Sequence, residues 1–284
     1  MDPRPPSVLI TGTSSGIGCA AAAELAARGW RVLATMRDVA RRAALDAAVA
    51  GAPGPVTVAS LDVTDATALP QALRGALAPA GGELDAVVHN AGVAVGGAFE
   101  DLPEAELRRV METNFFGVLS LTRLLLPLFR AQRRGRIVIV SSNSAFFGEP
   151  ANSIYVASKW AIEGWAESLA YEVAPFGVDV VLIEPGPYRT EIWNTSPRIL
   201  PADSAYRALL EPVERAIDQH VVAAARDPRE VGRAIADALA ARRPPFRIPV
   251  SPQARVDHFL RGKMPSRWRR ALVTRLLGLH RLRL

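Results

Sequence analysis

Short apolar runs alternate with longer stretches of helical spacing through the first 185 residues of this chain. Val8-Leu9-Ile10, Val32-Leu33-Ala34, Val56-Thr57-Val58 and Ala86-Val87-Val88 are near-continuous rather than alternating, as are Ile137-Val138-Ile139-Val140 and Val180-Val181-Leu182-Ile183. Such runs are expected of strands buried on both faces. Between them, alanine- and leucine-rich stretches near 17–28, 39–50, 66–78, 104–131 and 153–173 predict helices. This order implies an α/β fold: a parallel, doubly wound, Rossmann-like sheet with right-handed crossovers and helices on both faces. Ligands of these sheets bind outside the carboxyl ends of the strands.

Beyond Pro185 the pattern weakens. Residues 186–226 carry prolines, aromatics and an irregular helical signal, which predicts a small helical lobe covering a substrate. A helix near 228–241 and a strand near 247–250 are expected to close the sheet, followed by a basic extension over 251–284. No interior linker divides the chain, so one domain over 1–284 is expected.

Composition narrows the class. The 284 residues are 49% apolar and 22% charged, ordinary values for a globular protein. No apolar run approaches the ~18 residues of a membrane span. Met1-Asp2-Pro3-Arg4-Pro5-Pro6 lacks the apolar centre of a secretory signal. Cys19 is the only cysteine, which excludes an internal disulfide and a cysteine-built metal site. A soluble cytoplasmic protein without a resident metal is expected. The net charge of +6 gathers in the tail, through Arg261, Arg267, Arg269, Arg270, Arg275, Arg281 and Arg283. No nucleic-acid-binding signature accompanies it, and no such partner is expected.

Candidate chemistry falls at the predicted strand ends. Thr11-Gly12-Thr13-Ser14-Ser15-Gly16-Ile17-Gly18 directly follows the first strand and opens the first helix. Glycine allows a tight turn and close approach to a pyrophosphate, which free N–H groups and the helix dipole then hold. The spacing is Gly-x-x-x-Gly-x-Gly rather than the common Gly-x-Gly-x-x-Gly. After the second strand, Met36 stands where an NAD-selecting acid is expected, and Arg37 can pair with the 2′-phosphate of NADP. Asp38 follows immediately, and a shift of one residue would reverse that preference for NADP(H) over NAD(H). Asp62-Val63 suits either an adenine rim or a helix cap. Asn90-Ala91-Gly92 suits either a nucleotide lying on backbone or a plain turn.

Tyr155-Val-Ala-Ser-Lys159 places a lysine one helical turn after a tyrosine, in a chain whose only lysines are Lys159 and Lys263. An ammonium beside a phenol favours the phenolate and moves it toward the range of a general acid/base. Ser141, Ser142 and Ser144 crowd the end of the fifth strand; Ser142 is singled out by its spacing to Tyr155.

With these residues the chain resembles the short-chain dehydrogenase/reductase family in its single-domain form, over about residues 6–250. The resemblance is carried by Thr11-Gly12-x-x-x-Gly16-Ile17-Gly18, Asp62, Asn90-Ala91-Gly92, Asn114, Ser142, Tyr155-x-x-x-Lys159 and Pro185-Gly186-x-x-x-Thr190. It implies Tyr155 as acid/base and Ser142 bonding the substrate oxygen. Lys159 would hold the nicotinamide ribose and lower the Tyr155 pKa, and Asn114 would position a water between Lys159 and solvent. Thr190 would bond the carboxamide, beside the Pro185-Gly186 turn. His89 stands where many relatives carry asparagine. Ala34-Thr35-Met36-Arg37-Asp38, Ser158-Lys159-Trp160-Ala161-Ile162-Glu163-Gly164 and Glu172-Val173-Ala174-Pro175-Phe176-Gly177 resemble the hydroxysteroid and retinol dehydrogenase branch. That implies an apolar substrate and a dimer or tetramer formed through helices near 104–131 and 153–173.

Phe146, Phe147, Tyr188, Ile192 and Trp193 are candidate pocket residues, with Phe147, Tyr188 and Trp193 the principal set. They suit a hydrophobic ketone, aldehyde or secondary alcohol. The tail from Trp268 to Leu279 is basic and amphipathic; it suits packing on the protein or peripheral contact with an anionic membrane. Two other classes are a non-catalytic NADP(H)-binding sensor or scaffold and a membrane-associated lipid binder, the first disfavoured by an intact Asn114, Ser142, Tyr155 and Lys159.

Overall fold

The computed structural model describes residues 4–223, 225–261 and 263–276. The first half alternates as expected: β1 (Ser7–Thr11), α1 (Gly16–Ala27), β2 (Arg31–Met36), α2 (Ala43–Val49), β3 (Val56–Ser60), α3 (Leu69–Leu77) and β4 (Ala86–His89). Then come β5 (Gly96–Gly97), α4 (Glu104–Met111), α5 (Gly117–Gln132), β6 (Gly135–Val140), α6 (Ser153–Val173) and β7 (Val178–Glu184). The remainder holds α7 (Ile192–Thr195), β8 (Arg198–Ile199), α8 (Arg207–Ala216), α9 (Arg229–Ala240), β9 (Arg247–Pro249), α10 (Pro252–Leu260) and α11 (Ser266–Leu276). Seven strands form one sheet in the order β3-β2-β1-β4-β6-β7-β9, and every pairing is parallel.

The near-continuous apolar runs are explained by two cores, one on each face. Along β1, Val8 and Ile10 enter the core under α1 and α9, whereas Leu9 enters the core under α3, α5 and α6. The same period of two sends Val138 and Val140 of β6 to the first core and Ile137 and Ile139 to the second. Burying each such side chain contributes about 1.5–3 kcal/mol, and the polar residues enclosed on these strands, such as Thr35 and His89, are hydrogen-bonded.

Three details differ from the sequence expectation. The helix expected over 104–131 is divided by a π-helical turn, Glu112–Phe116, which holds the buried Asn114. A widened turn of this kind aims a side chain out of the regular ladder. The segment expected over 39–50 begins as a 3-10 turn at Val39–Arg42, initiated by the Asp38 side chain accepting from Ala40 N–H. A small parallel pair, β5 with β8, ties the loop after β4 to the covering segment and had no period-two signal because each strand has two residues. Among the described residues no helix is long and apolar enough to cross a membrane.

Arg136 at the start of β6 joins the sheet to α9. Its guanidinium donates to the carbonyls of Ala238, Leu239 and Ala241 at 2.6, 2.9 and 2.8 Å and pairs with Asp179 at 2.7 Å. The last carbonyls of a helix lack partners within it, and a cation there also opposes the dipole. Arg136→Ala is expected to lower unfolding free energy by about 2 kcal/mol in urea denaturation, and an unchanged midpoint would show these bonds to be dispensable.

Candidate active site

The carboxyl ends of β1, β2, β4, β6 and β7 open into one cavity of about 1050 Å³. Its first end is built by the turn between β1 and α1. Gly12 and Gly16 have φ of +71° and +57°, conformations that cost little only for glycine. A Cβ on Gly18 would stand 2.2 Å from Gly12 O and 2.4 Å from Asn90 Nδ2. That crowding is used: Asn90 Nδ2 donates to Thr11 O and Gly12 O, both at 2.9 Å, and locks the loop to the end of β4. Ser15 at the start of α1 makes no side-chain cap, and the first turn carries no acid. The N–H groups there are therefore open to an anion. Ser14, Ser15, Gly16 and Ile17 border the cavity, as do Asn90, Ala91 and Gly92, whereas Gly18 is buried behind them.

The rim beyond β2 and β3 holds Arg37, Asp62 and Val63, together with Arg41 from the 3-10 turn. Met36 is buried, and Asp38 is engaged on Ala40 N–H at 2.9 Å. Asp62 accepts from Thr64 N–H and Oγ1 at 2.9 and 2.7 Å, while Asp65 caps the start of the next helix through Thr67 and Ala68. Asp62 therefore shapes the rim and is not the helix cap. Donors left on a glycine-lined helix start, flanked by a small-residue strand end, fit a dinucleotide pyrophosphate.

At the other end, the sheet and α6 bring Ser142, Tyr155 and Lys159 to one wall. Ser142 Oγ accepts from Ser144 N–H at 3.1 Å and hydrogen-bonds Tyr155. Its neighbours differ: Ser144 Oγ donates to Glu149, and the buried Ser141 Oγ has no partner among the described residues. Lys159 Nζ donates to Val140 O at 2.9 Å and lies 5.7 Å from the Tyr155 ring centroid. Asn114 spans the loop after β4, accepting from Val93 N–H and donating to Val93 O, both at 2.9 Å, and donating to Ser158 Oγ at 3.0 Å. Its hydrogen bonds thus hold the loop and α6, not its own helix. Pro185, Gly186 and Thr190 complete this wall, with Thr190 Cβ 3.1 Å from where a Gly16 Cβ would stand.

The family pattern described as short chain dehydrogenase matches residues 6–198. Retinol dehydrogenase 8 of Bos taurus is 37% identical over 264 residues, covering 87% of this chain and 82% of that protein. The 3-ketodihydrosphingosine reductase of Bacteroides thetaiotaomicron is 35% identical over 262 residues, covering 89% and 90%. The chain belongs to the short-chain dehydrogenase family. A solved short-chain dehydrogenase from Streptomyces avermitilis shares the fold with a TM-score of 0.79, 33% identity and 98% coverage of both chains. This short-chain dehydrogenase lies on the retinol- and hydroxysteroid-dehydrogenase-like branch, an oxidoreductase acting on CH–OH and C=O groups.

Electrostatics in the short-chain dehydrogenase site correct one expectation. Burial pushes the Tyr155 phenol up to about 12; the Ser142 hydrogen bond opposes this and the Glu149 charge adds to it. Burial pushes Lys159 down to about 8, against the pull of Glu163. The lysine was expected to lower the tyrosine, but burial is the largest cause of the Tyr155 shift and Lys159 is not among its causes.

The substrate end departs from the aromatic set expected. Phe147 and Ile192 border the cavity. Tyr188 borders it too, but it is buried and its hydroxyl donates to Glu230 at 3.1 Å, so its polar end serves α9. Phe146 is core, edge-on to His258 and beneath Arg261. The Trp193 side chain lies outside the described residues, as do Leu277 to Leu284 and the side chain of Arg269. Gln253 and Leu260 from α10, Met264 from the turn after it, and Leu272 and Val273 from α11 also border the cavity, and no motif marks them. Part of the tail therefore packs on the site, with Trp268 exposed. Helix α10 is clamped by His258 to Glu184 at 3.0 Å and Arg261 to Glu163 at 3.2 Å, and Arg247 meets Glu163 at 2.9 Å. Burial, reinforced by the Glu163 charge, pushes Glu184 up to about 8.

His89 is structural. It is buried and bonds Thr122 Oγ1 through Nε2 at 2.9 Å, and burial pushes its pKa down to about 3. The unfolded chain therefore takes up a proton near pH ~6.5 that the folded chain refuses, so stability falls as pH drops below that value. Between pH ~7 and ~5 His89 is expected to remove on the order of 2 kcal/mol, seen as a pH-dependent difference between wild-type and His89→Asn denaturant titrations, which cancels the opposite contribution of Glu184 common to both. Parallel wild-type and variant curves would refute that account.

Proposed function

We propose that this short-chain dehydrogenase is an NADP(H)-dependent oxidoreductase of hydrophobic ketones, aldehydes or secondary alcohols, with Tyr155 as general acid/base. The observation that carries it is Tyr155, Ser142 and Lys159 meeting at one wall of the cavity whose other end is the open helix start of α1. The bound nicotinamide supplies the hydride acceptor or donor. Tyr155 keeps its proton at neutral pH and gives it to the carbonyl oxygen in reduction, with Ser142 holding the same oxygen. Lys159, fixed by Val140, holds the ribose, and Asn114 positions the segments around it. The Pro185-Gly186 turn and Thr190 flank the ring. Tyr155→Phe is expected to lower turnover by at least about a thousandfold while NADPH binding, followed by fluorescence titration, stays within about threefold. Retained turnover would overturn the mechanism; loss of NADPH binding as well would point to a structural role for the phenol.

NADP(H) is favoured by the buried Met36 and by Arg37 and Arg41 on the rim. A guanidinium pairs well with a phosphate, and Asp38 borders the same rim with one oxygen engaged on Ala40 N–H. NADPH is expected to exceed NADH in kcat/KM by at least about tenfold, and Arg37→Ala to erase most of that ratio, about 1.4 kcal/mol. A preference for NADH would remove the role given to Arg37. The apolar character of the substrate is supported by Phe147, Ile192, Leu260 and Met264 on the cavity wall.

A further inference from the structure

The positive charge of the chain belongs to one stretch. Residues 251–284 hold 9 of the 34 basic residues and 1 of the 28 acids, Asp257, so the first 250 carry 25 and 27 and are slightly acidic. The described part of that stretch forms α10 and α11, and α11 contains no acid. Elsewhere exposed arginines pair with acids one helical turn away, as Arg28 does with Glu24 at 2.8 Å and Arg108 with Glu104 at 2.6 Å. Arg255 of α10 and Arg267, Arg270 and Arg275 of α11 are exposed, and none of them forms an ion pair among the described residues.

The same two helices are apolar where they meet water. Four of the ten large hydrophobic side chains exposed among the described residues fall within 256–272: Val256 at 57%, Phe259 at 63%, Trp268 at 62% and Leu272 at 45%. Val256 and Phe259 are three apart and Trp268 and Leu272 four apart, so each pair shares one face of its helix. Lys263 Nζ stands 3.8 Å from the Phe259 ring centroid, and Arg267 directly precedes Trp268. Exposed apolar residues scattered singly need no explanation, but a cluster among unpaired cations does. A nucleic acid would answer the arginines and leave Val256 and Leu272 in water. An anionic bilayer answers both, with phosphates for the guanidinium groups and the headgroup–acyl boundary for the rings and aliphatic side chains. Leu272 also borders the cavity, as do Leu260, Met264 and Val273 from the same stretch, so the exposed face and the cavity meet at that residue.

We propose that α10 and α11 dock on an anionic membrane surface and set the cavity beside the bilayer. Docking stands on the two helices alone; delivery of an apolar substrate from the bilayer rests on the oxidoreductase reading above.

The test is co-sedimentation of the full chain with vesicles of phosphatidylcholine, alone or with about 30% phosphatidylserine. Partition is expected to be at least about tenfold stronger onto the serine-containing vesicles at low salt, and to be largely lost at about 0.5 M salt. Arg267→Glu with Arg270→Glu, and separately Phe259→Ser with Trp268→Ser, should each remove most of it. Arg74→Glu with Arg229→Glu makes the same charge change at exposed positions of α3 and α9 and should not. Equal partition onto both vesicles, or partition unmoved by either pair of substitutions in α10 and α11, overturns the proposal. Polyglutamate bound as tightly as the vesicles also overturns it, by showing that any acidic polymer suffices. Reduction of octadecan-2-one dissolved in the vesicles is expected to fall at least about tenfold in the Arg267→Glu, Arg270→Glu variant, while octan-2-one in water is reduced as by the wild type. An undiminished rate on octadecan-2-one overturns the placement of the cavity at the bilayer. Charge-dependent sedimentation without turnover of either ketone leaves docking in place and overturns the oxidoreductase reading.

Discussion

The site depends on a buried ammonium resting on a strand-end carbonyl. Lys159 Nζ and Val140 O are 2.9 Å apart, and nearly all of the lysine is enclosed. Leaving that charge unpaired would cost several kcal/mol, so α6 has one favourable position against β6. Because Tyr155 lies one turn earlier on α6, and Ser142 two residues beyond Val140, the same bond sets the phenol against the serine. Asn114 reinforces the arrangement from the π-helical turn by reaching both Ser158 and the backbone of Val93. Packing against both faces of the sheet then makes the strand end a rigid reference.

What was legible in the sequence follows from the range of the interactions involved. Strands buried on both faces carry consecutive apolar residues at their centres, so β1, β4, β6 and β7 were visible without knowing their partners. The turn before α1 was visible because glycine is the residue that permits φ of +71° at Gly12 and the contact at Gly18. The cavity residues from α10 onward were not, because nothing local distinguishes Leu260 or Met264 from ordinary core residues. Tyr188 shows the converse: its place beside the Pro185-Gly186 turn was foreseeable, but its bond to Glu230 depends on a contact 42 residues away. The sign of the Tyr155 shift was likewise out of reach, since spacing shows that a cation is near but not how much water both groups lose.

Charge is placed by the same logic on the far side of the site. Glu163 and Glu184 are almost wholly enclosed, and Arg247, Arg261 and His258 gather around them. Glu184 ends β7 directly before the Pro185-Gly186 turn, so α10 is tied to the strand end that leads into the site. Gly186 shows how close that fit is, since a Cβ there would stand 2.4 Å from Ser251 Oγ.

The wall formed by α10 and α11 lies beyond residue 198, where the family pattern ends. Phe147 and Ile192 of the same cavity lie within the matched stretch, so the later segment supplies one part of the wall and not the whole of it. Drift in the last thirty or so codons can retune that part without disturbing the turn between β1 and α1. One side of the cavity is then free to diverge while the strand-end residues stay as they are.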